Sequence, residues 1–217
     1  MRLGVISDIH GNLPALKKVL PELGDVDRLI CLGDIAGYNP YLGECLELVQ
    51  DTCDLVLQGN HDRLETQGLN QQAVTGIRYA KKNLSEEQKQ HLQSLPEKKD
   101  VFDTDYLSVH SHPERVDEYV MPRDFPRMRP YLDDYRGIFL GHTHDQHVAV
   151  IDDRLILNPG SVGQPRDGDP RAAYAIVDTE PGEYSFGRVE YDVDKVVEKI
   201  EDSGLPPGLG QRLWEGR

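Results

Sequence analysis

Positive charge is scarce in this chain. Its 217 residues carry 24 Lys and Arg against 38 Asp and Glu, a formal net charge of −14 at pH 7 with histidine neutral. That balance excludes a protein whose main work is gripping a nucleic-acid backbone or an anionic membrane, since either task needs a net basic face. Neither a stable nucleic-acid complex nor a membrane association is expected. Phosphate chemistry stays open, because bound metal ions can supply the positive charge that the chain lacks. The acids lean to Asp (23 of 38) and the bases to Arg (15 of 24), a bias that fits a salt-adapted host. Cysteine is nearly absent too. Cys31, Cys45 and Cys53 are odd in number and lack knuckle spacing, so they read as reduced structural thiols. No apolar run approaches the ~20 residues needed to cross a bilayer. A strand-like run, Arg2 to Ile6, starts at once, so no cleaved leader is expected and the location expected is the cytoplasm.

What is present suffices for one core. Hydrophobic residues make up 38% of the chain, and a chain of this length needs no staples. The expectation is a single domain over 1–217: a βα-rich half at 1–146, mainly antiparallel strands at 147–192, and a C-terminal helix and tail at 193–217. The first sixty residues repeat one theme. Leu3–Ile6 leads into Ser7-Asp8-Ile9-His10-Gly11-Asn12, Arg28–Leu32 into Gly33-Asp34, and Asp54–Leu57 into Gly59-Asn60-His61-Asp62. Between these runs, 13–23 and 41–51 carry Leu and Val at helical spacing. Such a pitch predicts right-handed βαβ units and a parallel sheet. Asp8, Asp34 and Asn60 are spaced by 26 residues each time, which sends all three to the carboxyl edge, where open α/β sheets bind ligands.

Farther along, Ala73 to Leu84 reads as a helix, and Ser85 followed by Glu86, Glu87 and Gln88 as the capped start of another. Strands are expected at 105–109 and 137–140. The segment 113–130 holds Pro113, Pro122, Pro126 and Pro130, which break it into a loop or lid. From 147 the chain alternates as strands to 191, a pattern that predicts a mostly antiparallel second sheet. A helix near 193–203 and a short tail complete it.

Taken together, the tips form a set: Asp8-x-His10, Gly33-Asp34, Gly59-Asn60-His61-Asp62, His110, and Gly141-His142-Thr143-His144. Five of the eight histidines lie in them. A satisfied core or a solvated face would not gather carboxylates and imidazoles at the ends of five separate apolar runs. These donors suit Zn, Mn, Fe, Co or Ni, and the absence of thiolate argues against a structural zinc knuckle. There are too many donors for one tetrahedral ion and enough for two. A carboxylate bridging two ions ~3.5–4 Å apart is the usual geometry of metal-assisted phosphoester hydrolysis.

This ordered set resembles the calcineurin-like metallophosphoesterases, over residues 1 to about 190. Asn158-Pro159-Gly160-Ser161-Val162-Gly163 further resembles the small bacterial and archaeal branch labelled phosphodiesterase or phosphoesterase of the YfcE type. The resemblance implies an α/β fold, a four-layer α/β/β/α sandwich of two packed mixed sheets flanked by helices. It also implies two divalent ions, with Asp8, His10 and His144 on the first, Asn60, His110 and His142 on the second, and Asp34 bridging. His61 would face the phosphoryl group as the catalytic residue, its pKa near neutrality suiting it to protonate a leaving oxygen. The expected function is hydrolysis of small phosphodiesters by metal-hydroxide attack, on a phosphoester or nucleotide substrate. A phosphatase or dinucleoside polyphosphate hydrolase is the alternative within enzymes, and a non-catalytic metal-binding interaction scaffold the alternative outside them. Scaffolds of this fold lack the histidine that stands here as His61. A homo-oligomer is compatible with all of these.

Substrate contacts are less sharply marked. Asn12 reads equally as a helix cap or a phosphate contact. The family usually has Gly after the histidine ligand, where this chain has Ser111, so His112 competes with His110 as ligand, or else faces substrate or packs on the loop. Arg123, Arg127 and Arg129 read as a solvated loop or as donors to a second phosphate, and Arg166 beside the Asn-Pro-Gly-Ser loop is a further candidate.

Overall fold

The computed structural model describes residues 1–180 and 182–217. Strand β1 (Arg2–Ile6) alternates its side chains between two apolar layers: Leu3 and Val5 face one way, Ile6 the other. It lies at the centre of a five-stranded sheet, flanked on one side by the parallel strands β2 (Arg28–Cys31) and β3 (Leu55–Val56). Helices α1 (Leu13–Glu22) and α2 (Leu42–Thr52) make the crossovers. Both bury their Leu and Val rows against the outer face of that sheet, as their helical spacing predicts.

Helix α3 (Gln71–Asn83) starts at Asn70, whose side chain accepts from the amides of Gln72 and Ala73. Helix α4 (Glu86–Ser94) starts in the expected capping box of Ser85 and Gln88. The second sheet runs β4 (Lys98–Asp100), β5 (Tyr106–Val109), β6 (Gly137–Phe139), β8 (Arg154–Pro159) and β7 (Gln146–Ile151). Strands β5, β6 and β8 are parallel, and the outer strands are antiparallel. Leu3, Val5, Ile30 and Leu57 from the first sheet meet Tyr106, Phe139, Leu155 and Leu157 from the second, which is the core between them. The four-layer α/β sandwich of two mixed sheets is therefore present.

Three expectations need correcting, and one strand was not expected. The strands after 147 do not form one sheet. β7 and β8 join the second, whereas β9 (Ala172–Asp178) and β10 (Glu183–Val189) join the first, with β9 antiparallel to β1. The short tail is a helix, α6 (Pro207–Glu215), packed with α5 (Val193–Asp202) against α3. The strand β4 had no signal, since its Lys98-Lys99-Asp100 is exposed. Finally, Pro122–Leu132 is helical despite its prolines. It is a 3₁₀ helix whose Phe125, Met128 and Leu132 pack on Leu107, Val109 and Ile138, covering the outer face of the second sheet. Proline removes amide donors, which disfavours the α ladder, but the turn itself survives and spaces the apolar residues onto one face. Among the described residues, no helix is long and apolar enough to cross a membrane.

Candidate metal centre

The carboxyl ends of β1, β2, β3, β5 and β6 converge where the two sheets meet. At these ends the backbone turns abruptly: Asp8, His10, Asp34, His142 and His144 all have φ between 48° and 67°. Left-handed backbone costs a residue with a Cβ about 1–2 kcal/mol. Five such positions clustered in one place mark a region whose shape is set by something other than local stability.

Each imidazole is aimed by its other nitrogen. His10 Nδ1 donates to the Ala36 carbonyl at 2.9 Å, His110 Nδ1 to the Leu32 carbonyl at 2.8 Å, and His144 Nδ1 to the Gln164 carbonyl. A carbonyl only accepts, so Nδ1 carries a proton in each, and wherever the ring is neutral Nε2 presents a lone pair. His142 is turned the other way, with Nε2 donating to the Asp117 carbonyl at 3.2 Å.

Two buried groups result. Asp8, His10, Asp34 and His144 bring one donor atom each within 4.8 Å of one another, and so do Asp34, His110 and His142. Asn60 joins the second, its Oδ1 lying 3.4 Å from His110 Nε2. Asp34 belongs to both: its Oδ2 is 3.6 Å from His10 Nε2 and 3.5 Å from His110 Nε2. Asp8 Oδ1 is 3.3 Å from His144 Nε2.

The donor set fits cations. His10 and His144 set their Nε2 atoms 3.0 Å apart, lone pair against lone pair, and Asp8 Oδ1 is buried with no hydrogen-bond partner. Such an arrangement is repulsive or unsatisfied on its own and favourable around a positive ion. Two donors held ~2.1 Å from one ion lie about 3.0–3.4 Å apart, close to the spacings found. Burial lowers the pKa of His10 and His144, and of His142 to about 4, keeping these rings neutral. His110 is the exception: burial opposes its charge, yet the Asp34 carboxylate lifts it to about 9. Burial also opposes the charge of Asp8 and Asp34, but neighbouring imidazoles, chiefly His144 and His110 respectively, hold both carboxylates well below the usual range.

Asp62 organises this region. Its buried carboxylate accepts from the amides of Asp34 at 2.7 Å, Ala36 at 2.9 Å and Gly59 at 3.0 Å. Burial and the Asp34 charge push its pKa up to about 7. Gly59 lets the β3 tip press against that loop, since a Cβ there would lie 2.6 Å from Asp34 Cγ. We expect Gly59→Ala to cost about 1–3 kcal/mol, the usual range for overpacking a dense core, and to weaken metal binding. Urea midpoints measured with and without manganese test both.

The structure brings the other candidates to different ends. His61 lies in the cavity above the groups, its backbone amide donating to Asp34 Oδ1 at 2.8 Å and its Nδ1 buried without a partner. Its pKa is not near neutrality, because burial pushes it down to about 4. Arg166 lines the same cavity of about 320 Å³, with Tyr38, Asn70, Tyr119 and others. Asn12 is spent as a cap, accepting from Ala15 N at 3.2 Å and donating to the Gly163 carbonyl at 3.0 Å. His112 does not join the groups: its Nδ1 accepts from the amides of Glu114 and Arg115, both at 3.1 Å. Ser111 is not left-handed and so carries no glycine penalty; its hydroxyl accepts from Asp117 N at 3.0 Å. Arg123 and Arg127 do not line the cavity but stand exposed on the 3₁₀ helix beside Asp124. Tyr38 and Tyr119 also border the groups. Tyr38 packs edge-on to His10 with centroids 4.7 Å apart, and Tyr119 stacks on His142 at 4.1 Å. Aromatic rings in loops gave no signal that separated them from core residues.

Fold and site together define a two-sheet phosphoesterase architecture with a buried His/Asp centre. The chain belongs to the calcineurin-like phosphoesterase superfamily, whose domain profile matches residues 1–182. Over 99% of its length it is 35% identical to the uncharacterized protein MJ0912 of Methanocaldococcus jannaschii, of which 98% is covered. It is 25% identical to the phosphodiesterase MJ0936 of the same organism, over 85% of this chain and 96% of that one. The crystal structure of a metallophosphoesterase from Sphaerobacter thermophilus is 35% identical and superposes with a TM-score of 0.86, covering 100% of this chain and 99% of the other.

Proposed function

We propose that this chain is a dinuclear metal-dependent phosphodiesterase acting on small phosphodiesters. Asp8, His10 and His144 would hold one divalent ion, Asn60, His110 and His142 a second, and Asp34 both. Mn, Fe, Zn, Co and Ni all suit these donors. The observation that carries the reading is the single Asp34 oxygen set between His10 Nε2 and His110 Nε2. When bound, such a pair of ions supplies an activated water and neutralises phosphoryl charge.

The protein's own groups do the rest. Two divalent cations against Asp8 and Asp34 leave a positive spot in a chain of net charge −14, so an anionic ester is drawn there and not elsewhere. Amide and imidazole donors keep that charge positive where more carboxylates would cancel it. Neutral at pH 7, His61 offers a ring N–H to a phosphoryl or leaving-group oxygen as a hydrogen bond, and contact with that anion raises its basicity toward the proton-transfer range. The 25% identity with a phosphodiesterase supports the ester class.

Metal analysis of purified protein, coupled to a panel of p-nitrophenyl mono- and diesters, tests the reading. About two ions per chain and faster turnover of diesters are expected. Less than one ion after manganese loading, or no turnover of any ester, would refute it.

A further inference from the structure

Arg166 lines the cavity, Arg212 lies close enough to feel its charge, and neither is paired with an Asp or Glu side chain among the described residues. Arg63, Arg129, Arg171 and Arg188 each hold a carboxylate. Arg166 Nη2 donates instead to Tyr38 Oη at 3.2 Å and Gln164 Oε1 at 3.0 Å, and its guanidinium lies 5.6 Å from the centre of the Tyr38 ring. Its Nε is buried with no acceptor.

Arg212 comes from α6. Its Nη1 donates to Gln72 Oε1 at 2.7 Å and its Nε to the main-chain oxygen of Arg217 at 2.8 Å. Gln72 lies in the first turn of α3, between the cavity-lining residues Asn70 and Ala73. The apolar cluster of Tyr38, Ala73, Leu209 and Leu213 holds α6 in this place. Burial first, then the charge of Arg166, lowers the pKa of Arg212, so the two cations feel one another. Arg166 bonds only neutral acceptors and leaves its Nε without one. Two half-buried guanidiniums within reach of one another's charge are held at a cost, which an anion between them lowers.

We propose that Arg166 and Arg212 form a subsite for a second phosphate, so that the substrate carries at least two, as a phosphoanhydride chain or a bisphosphorylated small molecule does. This rests on the metal-centre reading above, since the scissile phosphate would sit at the His/Asp groups. It also moves the second-phosphate role from the exposed Arg123 and Arg127 to the cavity side of the fold, where Arg166 and α6 lie.

AMP and ADP, which differ by one phosphate, are suitable probes for calorimetry on the manganese-loaded protein at fixed free manganese. ADP should bind at least tenfold more tightly than AMP. That ratio should fall toward one in Arg166→Gln and Arg212→Gln, whereas Arg28→Gln, an equal loss of charge on the far surface, keeps it. Arg212→Lys retains the cation, so it should keep most of the ratio even if the Gln variant loosens α6. Equal affinity for AMP and ADP in the parent, or an unchanged ratio in both Gln variants, would overturn the subsite. Failure of the function reading looks different: the arginine-dependent ratio persists while no ester is turned over.

Discussion

Asp34→Asn is expected to abolish hydrolysis and to empty both metal positions together. The asparagine keeps an oxygen for the His61 amide, which now bonds Asp34 Oδ1, so the loop between β2 and α2 has no steric reason to move. What disappears is the one anionic oxygen close to both His10 and His110. Outer hydrogen-bond partners of a metal ligand typically contribute about 10–100-fold to affinity or activity. A shared ligand should exceed that, so a loss in kcat/KM on the order of 10³-fold or more is expected, with metal content falling from two ions toward none.

Thermal melts separate this outcome from misfolding. A ligand present at a hundred times its Kd stabilises a protein by about 2.7 kcal/mol, roughly 5–10 °C in Tm at this chain length. The parent should gain that much with manganese and lose it to a chelator. In chelator the variant should melt within a few degrees of the parent, because removing one of three buried carboxylates (Asp8, Asp34 and Asp62) relieves repulsion there. Its Tm should not respond to manganese. A variant that binds two ions and gains the full increment would show that Asp34 is not shared.

The candidate centre was legible in the sequence to the extent that its parts are local. Each donor stands immediately after an apolar run, and a strand followed by a crossover helix returns the chain to the same edge, so the 26-residue spacing of Asp8, Asp34 and Asn60 carried real geometry. What was not legible depends on contacts between distant segments. β9 pairs with β1 across some 170 residues, and nothing in Ala172–Asp178 distinguishes that partner from β8. Arg212 reads as one cation on a terminal helix until α6 packs on α3. Asp62 reads as a turn residue, because its three amide partners come from two different loops. Arg123 and Arg127 stand out by composition alone, which leaves both a solvated loop and a phosphate contact open, and the buried spacing of Phe125, Met128 and Leu132 turns both outward.

Loss of the His61 ring should lower turnover while leaving the metals in place, the opposite pattern to Asp34→Asn. Its ring packs 4.8 Å from that of His10 and 4.7 Å from that of Tyr38, and it enters a space that Gly37 leaves open, having no Cβ. Its hydrogen bond to Asp34 comes from the backbone amide, and any replacement except proline keeps that amide. For His61→Asn we therefore expect about two ions per chain, a KM within a few-fold of the parent, and a kcat lower by ~10²-fold, typical of a lost proton donor. The leaving group then separates two roles. A residue that protonates the departing oxygen matters most for an alkoxide, which cannot leave unprotonated, and little for p-nitrophenolate, which can. A residue that only stabilises phosphoryl charge matters equally for both. Because burial keeps this imidazole neutral at pH 7, it must acquire its acidity from the bound anion. We accordingly expect the loss on alkyl diesters to exceed that on p-nitrophenyl diesters by at least tenfold. Equal losses would leave His61 as a charge stabiliser alone, and no loss on either substrate would remove it from the chemistry.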